Sequence, residues 1–496
     1  MRRILVLTAA LSAAASSGAQ VPLSVDTLFR MNLHARNVNS MAFLASGQLL
    51  LSGRMEFTGE TTPRYLARIF PNGQNDQSFP YSEGGSKLTA WNDRFYVQGS
   101  QTVRRLLPNG QIDPSFHHMN SDPYFLSLQG GDYHVYPDGR VLMGGYHTID
   151  APHLGYQGAY NLIWFYNNGR LDTTRAHRTG NGAVFGIREY PAGTAGGLGG
   201  KFLVHHWGTE YEGQPVSKVI RVHADGSLDE SFNAPIPWGY VYDMLPLPDG
   251  RAYIAGEFHL ENGTDRIQLV RLLPDGSLDA SFNNGLAFEI DTAHLATSPS
   301  VMDVFDLGAG LLALAGDFNS VDGHARGGLC IIDTTGQVVP FYADGAGCGN
   351  YEYQMGLQTV TYGALSGITR APNGQYYIWG AYHGYSDGTT NDTLQRMVTR
   401  LHGGEIGLGV RPTSQRTPGM RLYPVPASTH LTLEMEEVAR DVELVLSDAL
   451  GREVMRQSFA AHSTTVSIAH LGTGLYHAEL LRHGERTLTQ RLLVAR

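Results

Sequence analysis

The pentapeptide Gly384-Tyr385-Ser386-Asp387-Gly388 reproduces the spacing of a GxSxG nucleophile elbow. That chemistry needs a strand running into a sharp turn and then a helix, so that the serine stands above the sheet. No helical pattern follows Ser386, and sister segments place "GEFHLENG" and "GDFNSVDG" at the same point, so the serine is read as a loop residue. His117-His118 and His205-His206 are adjacent pairs. Neighbours on a strand point to opposite faces, so neither pair forms a bidentate metal site. The sequence has no HExxH, no paired CxxC and no EF-hand loop, and no metal or cofactor is expected. Carboxylates are numerous enough for two to converge as in a glycosidase, but chain spacing does not determine their separation. Cys330 and Cys348 are the only cysteines, and in an exported chain they can form one disulfide or remain two buried thiols.

The ends and the charge narrow the setting in which any such residue would work. Arg2 and Arg3 precede the apolar run "ILVLTAALSAAA", and Ser17-Gly18-Ala19 offers small residues for cleavage, so residues 1–19 read as a signal peptide. No later stretch approaches about 18 uninterrupted apolar residues, and no transmembrane anchor is expected. The net charge is −10 with no basic run, which removes the electrostatic drive for nucleic-acid binding.

What must position any site is a repeat. "RLLPDGSLDASF" (271–282) returns as "RLLPNGQIDPSF" (105–116), "RIFPNGQNDQSF" (68–79) and "RVHADGSLDESF" (221–232), with worn copies at 164–175 and 330–341. Each copy reads as strand, tight turn and strand, with Asp279 accepting backbone N–H groups and Phe282 buried between neighbouring sheets. Upstream of each copy lies an apolar strand ending in glycine, as in "GRAYIAGEF" (250–258). The markers Gly53, Gly99, Gly145, His206, Gly256, Gly316 and Gly380 define seven units of about four strands each. Such units predict an all-β chain with a seven-bladed β-propeller over residues 20–408. "VDTLF" (25–29) is the tail of a copy standing before any head, and it predicts an early strand that pairs near "MVTRLHGG" (397–404) to close the ring.

The recurrent "PDGSLDxSF" unit resembles the delta-60 repeat family of bacterial exported proteins, whose copies are assigned to β-propellers. The resemblance implies a fold and no general enzymatic activity.

Residues 409–420 read as a Gly, Pro, Ser and Thr-rich linker, and residues 421–496 as a small β-sandwich. This tail resembles the type A C-terminal sorting domain of the type IX secretion system of Bacteroidetes. The match rests on Tyr423, Pro424, Pro426 and Ala427, on Asp448 with Gly451, Arg452 and Val454, and on Gly474 with Tyr476. Val425 departs from the Asn usual in the family's opening turn. The resemblance implies passage through periplasm and outer membrane by the type IX machinery, then release or attachment at the cell surface.

In a propeller the variable connections gather on one face of the disc, here 146–161, 283–300, 341–360 and 381–394. The aromatic residues assigned to this face, Tyr146, Tyr156, Trp238, Tyr240, Tyr351, Tyr353, Tyr382 and Tyr385, are the candidate ligand-binding residues, suited to sugars or protein surfaces. The expected function is non-catalytic binding of an extracellular glycan or protein. A polysaccharide hydrolase or lyase, with acidic residues meeting in the central channel, is the alternative; a structural adhesion component is a third reading.

Overall fold

A computed structural model describes the chain except residues 1–20, 81–83, 100, 292–297, 341, 405, 407–419, 424–426, 436–441, 449–451, 460–462, 483–484 and 496. The expected signal peptide and all but the last residue of the expected linker lie outside the described residues. The chain divides into two compact units, Met1–Gly407 and Leu408–Arg496. Among the described residues the helical content is three 3-10 turns of three residues each, and no helix is long and apolar enough to cross a membrane.

Among the described residues the first unit is built from antiparallel sheets: seven main sheets that follow one another along the chain, one small sheet of two-residue strands, Phe288–Glu289, Ser320–Val321 and His324–Ala325, and two strand pairs. The first is Leu33–Phe43, Leu49–Phe57 and Arg64–Ile69; the fifth is Trp238–Pro246, Ala252–His259 and Arg266–Leu272. The sixth contains Ser300–Gly308, Leu311–Asp317 and Leu329–Asp333, and the seventh Ala364–Arg370, Tyr376–Ser386 and Asn391–Leu401. Both faces of each middle strand are buried, as in "AYIAG" (252–256), which is why these strands read as continuous apolar runs.

The fourth strand expected in each unit is reduced to one residue. Leu278 makes a single bridge to Leu272, as do Ile112 to Leu106 and Leu228 to Val222, and the chain then turns. Asp279 causes the turn. Its Oδ1 accepts the Ser281 N–H at 2.9 Å and the Ser281 hydroxyl at 2.6 Å, which satisfies locally the groups a longer strand would have paired. Its Oδ2 accepts Nε of Arg271 at 2.7 Å, and Arg271 lies 5.1 Å from the Phe282 ring centroid. Arg271 also donates to the Tyr253 hydroxyl at 3.1 Å and to the Thr334 carbonyl in the turn of the next sheet. The same clamp joins Arg105 with Asp113 and Phe116, and Arg221 with Asp229 and Phe232. Burial alone would raise the Asp113 carboxyl, but Ser115 and Arg105 outweigh it and hold it at about 2.

The worn copies keep the clamp's physics with other residues. In the third sheet Trp164 holds the arginine's place and Arg175 the phenylalanine's, and the cation still sits over the ring at 5.6 Å. In the sixth, Ile331 and Val339 replace arginine and aspartate, both buried, so an apolar pair stands where the ion pair was.

The ring closes through the two ends of the unit. Val25 bridges Leu401, the Leu23 N–H donates to the His402 carbonyl at 2.9 Å, and the Asp26 N–H donates to the Arg400 carbonyl at 2.9 Å. Arg400 donates from Nε to Asp26 at 2.9 Å and lies 4.9 Å from the Phe29 ring centroid. One complete clamp is thus assembled from residues more than 370 positions apart. An apolar cluster of Phe29, Val38 and Leu51 with Tyr377, Met397 and Val398 packs the seam between first and seventh sheets.

The second unit pairs Met420–Tyr423, His430–Met435 and Ser463–Ser467 in one sheet. A second sheet holds Val442–Ser447, Glu453–Phe459, Gly474–Arg482 and Glu485–Val494. Leu431, Leu433, Leu444, Leu446, Val466 and Leu492 from both sheets share one core.

Candidate functional site

The first long strand of each main sheet in the larger unit contributes to the wall of a central pocket, and one position recurs there. It faces the residue just before the marker glycine or its equivalent and is Ser40, Lys87, Asp132, Gly186, Asp243, Asp303 and Gly367 in turn. Four of these side chains accept an N–H from the first strand of the following sheet. Ser40 accepts from Leu88 at 3.0 Å, Asp132 from Ile187 at 2.9 Å, Asp243 from Val304 at 3.2 Å and Asp303 from Ile368 at 2.9 Å. Where the position is glycine, another side chain occupies the space: the Met244 methyl beside Gly186 and the Trp379 ring against Gly367. Lys87 cannot accept, so it donates to Asp132 at 2.7 Å, and Asp132 accepts the N–H of its own neighbour Tyr133. Arg188 then bridges Asp132 and Asp243, each at 2.7 Å.

The pocket inside this wall measures about 560 Å³. Besides the charged residues it is lined by polar side chains including Asn39, Gln98, Ser366 and Thr369, and by Phe185, Tyr242 and Trp379. Burial tends to raise Asp132, but Lys87 and Arg188 hold it below the usual carboxylate range. Burial and then the Asp243 carboxylate push Asp303 up to about 8, so at neutral pH Asp303 carries a proton within hydrogen-bonding reach of Asp243. A glycosidase keeps its two carboxyl groups about 5 Å or more apart, room that a hydrogen-bonded pair lacks.

An exposed aromatic row leads out of this pocket. Trp238, Tyr240 and Tyr242 are alternate residues of one strand and project from one face, 53%, 42% and 41% exposed. The Tyr240 and Tyr242 rings are near-parallel at 6.3 Å. Trp207 packs edge-on against Tyr240 at 5.3 Å and against Phe185 at 5.3 Å. Tyr242 and Phe185 line the central pocket, while Trp207, Trp238 and Tyr240 line an outer cleft of about 190 Å³. Lys218 sits in that cleft with Nζ donating to the Trp207 and Gly208 carbonyls at 2.5 and 3.0 Å.

Of the eight aromatic residues singled out by sequence, Trp238 and Tyr240 lie in this row. The others lie elsewhere. Tyr382 and Tyr385 are fully buried, with the Tyr382 hydroxyl on Thr399 at 2.7 Å, because the expected loop 381–394 is an extension of two paired strands. Tyr351 is buried, stacked on His383 at 4.1 Å, with its hydroxyl on the Arg36 carbonyl. Tyr353 is half-buried against Arg36 and Glu56. Tyr156 donates to the Arg175 carbonyl at 2.8 Å, and Tyr146 is a half-buried strand residue opposite Gln129. The expected loop 146–161 is likewise a strand pair joined by a 3-10 turn.

Ser386 is a strand residue paired with Asn391, and the neighbouring Asp387 accepts the Val25 N–H at 2.6 Å, so this pentapeptide fastens the closing strand. Cys330 and Cys348 are separate buried thiols in different clusters, and no disulfide joins them. No group of three or more potential metal ligands occurs among the described residues. Phe185 and Trp207 were not visible as site residues in the sequence. The one signal was the divergence of "GKFLVHHWG", where the marker glycine gives way to His206 beside Trp207.

In the smaller unit Tyr423 is 43% exposed, Asp448 accepts from Arg452 at 2.8 Å, and Tyr476 donates to the Gly472 carbonyl at 3.0 Å. Gly474 opens its strand; Pro424, Pro426 and Gly451 lie outside the described residues.

Comparison with known proteins finds two family matches. Residues 200–232 and 247–282 match a β-propeller domain of unknown function, DUF5122, and residues 421–495 match a secretion system C-terminal sorting domain. No curated protein sequence matches. Among solved structures, the chain is similar to the extracellular domain of a putative hybrid two-component system from B. thetaiotaomicron, at 9% identity and a TM-score of 0.40. That alignment covers 96% of this chain and 60% of that one, so the chain spans under two thirds of its length. A protein of unknown function from Bacteroides caccae aligns at 16% identity over 59% of this chain and 92% of its own, with a TM-score of 0.31. PorZ, a surface component of the type IX secretion system of Porphyromonas gingivalis, aligns at 10% identity over 92% of this chain and 81% of its own, with a TM-score of 0.21.

Proposed function

We propose, for a chain that carries delta-60-type β-propeller repeats and a type IX sorting domain and is therefore exported to the cell surface or beyond, that its propeller is a non-catalytic binding module. Its ligand is an extracellular glycan or protein. The observation that carries this reading is the exposed row of Trp238, Tyr240 and Tyr242, joined by Trp207 and Phe185 to a polar central pocket. Large aromatic faces left in water on a rigid sheet cost solubility and add nothing to the core, which is the usual mark of a recognition surface. The sorting domain serves delivery by the type IX machinery, and the propeller acts after delivery.

The test is a binding screen of the full chain against polysaccharides and extracellular proteins, with Trp238→Ala and Tyr240→Ala beside it. Retention that falls about tenfold or more in the variants supports the reading. Release of reducing ends or unsaturated products would replace it with the hydrolase or lyase alternative, and self-association without any ligand would favour the adhesion role.

A further inference from the structure

We infer that the ligand is an uncharged glycan whose chain end is held in the central pocket while its following sugars lie along the aromatic row; this rests on the binding reading above. Continuity comes first. Phe185 and Tyr242 line the pocket, Trp207 and Tyr240 line the outer cleft, and the four rings follow one another at 5.3 to 6.3 Å, so one extended molecule touching both cavities must cross them. Aromatic rings spaced on the scale of a sugar residue, with Tyr240 and Tyr242 near-parallel and Trp207 edge-on to Tyr240, suit the apolar faces of pyranose rings, whose hydroxyl edges stay in water.

Charge decides between an acidic and a neutral chain. Each cation along this path already has an acceptor. Lys87 is held by Asp132 and the Tyr133 carbonyl, Arg188 by Asp132 and Asp243, and Lys218 by two backbone carbonyls. The chain as a whole carries −10, so a polyanion gains no long-range attraction. What the pocket offers instead is a set of neutral donors and acceptors, Asn39, Gln98, Ser366 and Thr369, beside carboxylates that accept from hydroxyl groups. About 560 Å³ is within the range of small-molecule sites, and the pocket is open to solvent and ringed by residues of all seven main sheets, which suits a chain end entering from outside.

The test uses the full chain and neutral gluco-, xylo- and manno-oligosaccharides of two to eight units, each with a free or a reduced end, with heparin as the polyanion. Calorimetry should show affinity rising with length in one neutral series. Trp207→Ala and Tyr240→Ala should lower affinity for the long members about tenfold and leave the disaccharide within about twofold. Ser366→Ala with Thr369→Val should weaken short and long members alike, and changing the chain end should matter as much for long members as for short ones. Tighter binding of heparin, falling steeply with salt, would overturn the neutral-glycan inference, as would affinity indifferent to the pocket variants. If no sugar binds but an extracellular protein does and loses affinity in Trp207→Ala, the inference fails while the binding reading stands. If neither binds, both fail.

Discussion

The outer turns and the inner wall of the propeller are built from the same repeated plan and use it in opposite ways. At the turns, arginine, aspartate and an aromatic ring recur with nearly fixed distances, and even the worn copies preserve either the cation over the ring or a buried pair. At the wall, the equivalent position holds serine, lysine, aspartate or glycine: four sheets link to the next through a side-chain acceptor, while the lysine donates instead and the two glycines leave space for a neighbouring side chain. Repetition marks what every sheet needs, which is a neighbour held at a fixed angle. Variation marks what only one place needs, and the exposed rings stand beside the most divergent unit.

The comparison is broken most severely at a clamp. Arg271 and Asp279 are both buried, so Arg271→Ala removes the carboxylate's nearer cation, leaves it with Arg251 at 3.2 Å and Ser281, and should cost about 3 kcal/mol in urea unfolding. The double change Arg271→Ile with Asp279→Val copies the sixth sheet and should cost less than either single change. Equal or greater loss would mean that the apolar pair depends on its own surroundings.

The wall gives a pH-dependent effect. Asp303 holds its proton to about pH 8 in the folded chain but only to about pH 3.9 when unfolded. Between these values the folded state binds the extra proton, so stability contributed by this group falls as pH rises from about 4 to about 8 and then levels off. Asp303→Asn should remove that slope in urea midpoints measured from pH 5 to pH 9, and should leave the clamp variants' losses unchanged.

A turn glycine sharpens the contrast by a smaller amount. Gly276 has φ +89°, and a Cβ there would lie 2.7 Å from the Asn233 backbone of the preceding repeat. Gly276→Ala should therefore cost more than about 1 kcal/mol. The smallest effect belongs to the thiols: with Cys330 and Cys348 apart and buried, dithiothreitol should leave the melting temperature unchanged.

The plan was legible because its residues are local. Asp279, Gly276 and Phe282 announce a turn and a wedge within twelve positions, and "VDTLF" announced a missing partner that Arg400 and Leu401 supply. Arginine was overlooked, since its partner lies eight residues on and only the turn brings them together. The fourth strand was overestimated because alternation in "SLDASF" reads as a strand, while Asp279 spends its acceptors on the local turn. At the site, aromatic type alone did not separate Tyr240 from Tyr382. Both stand on strands, and only the packing of other sheets buries one and exposes the other.

The proposed division between a repeated scaffold and a single binding row is tested most directly by measuring melting temperature and ligand affinity together on the Trp207→Ala, Tyr240→Ala double variant. The account predicts a melting temperature within a few degrees of the parent, because Trp207 and Tyr240 are about half exposed, and an affinity reduced at least about tenfold. Undiminished affinity, or a loss of affinity accompanied by a collapse in melting temperature, would contradict it.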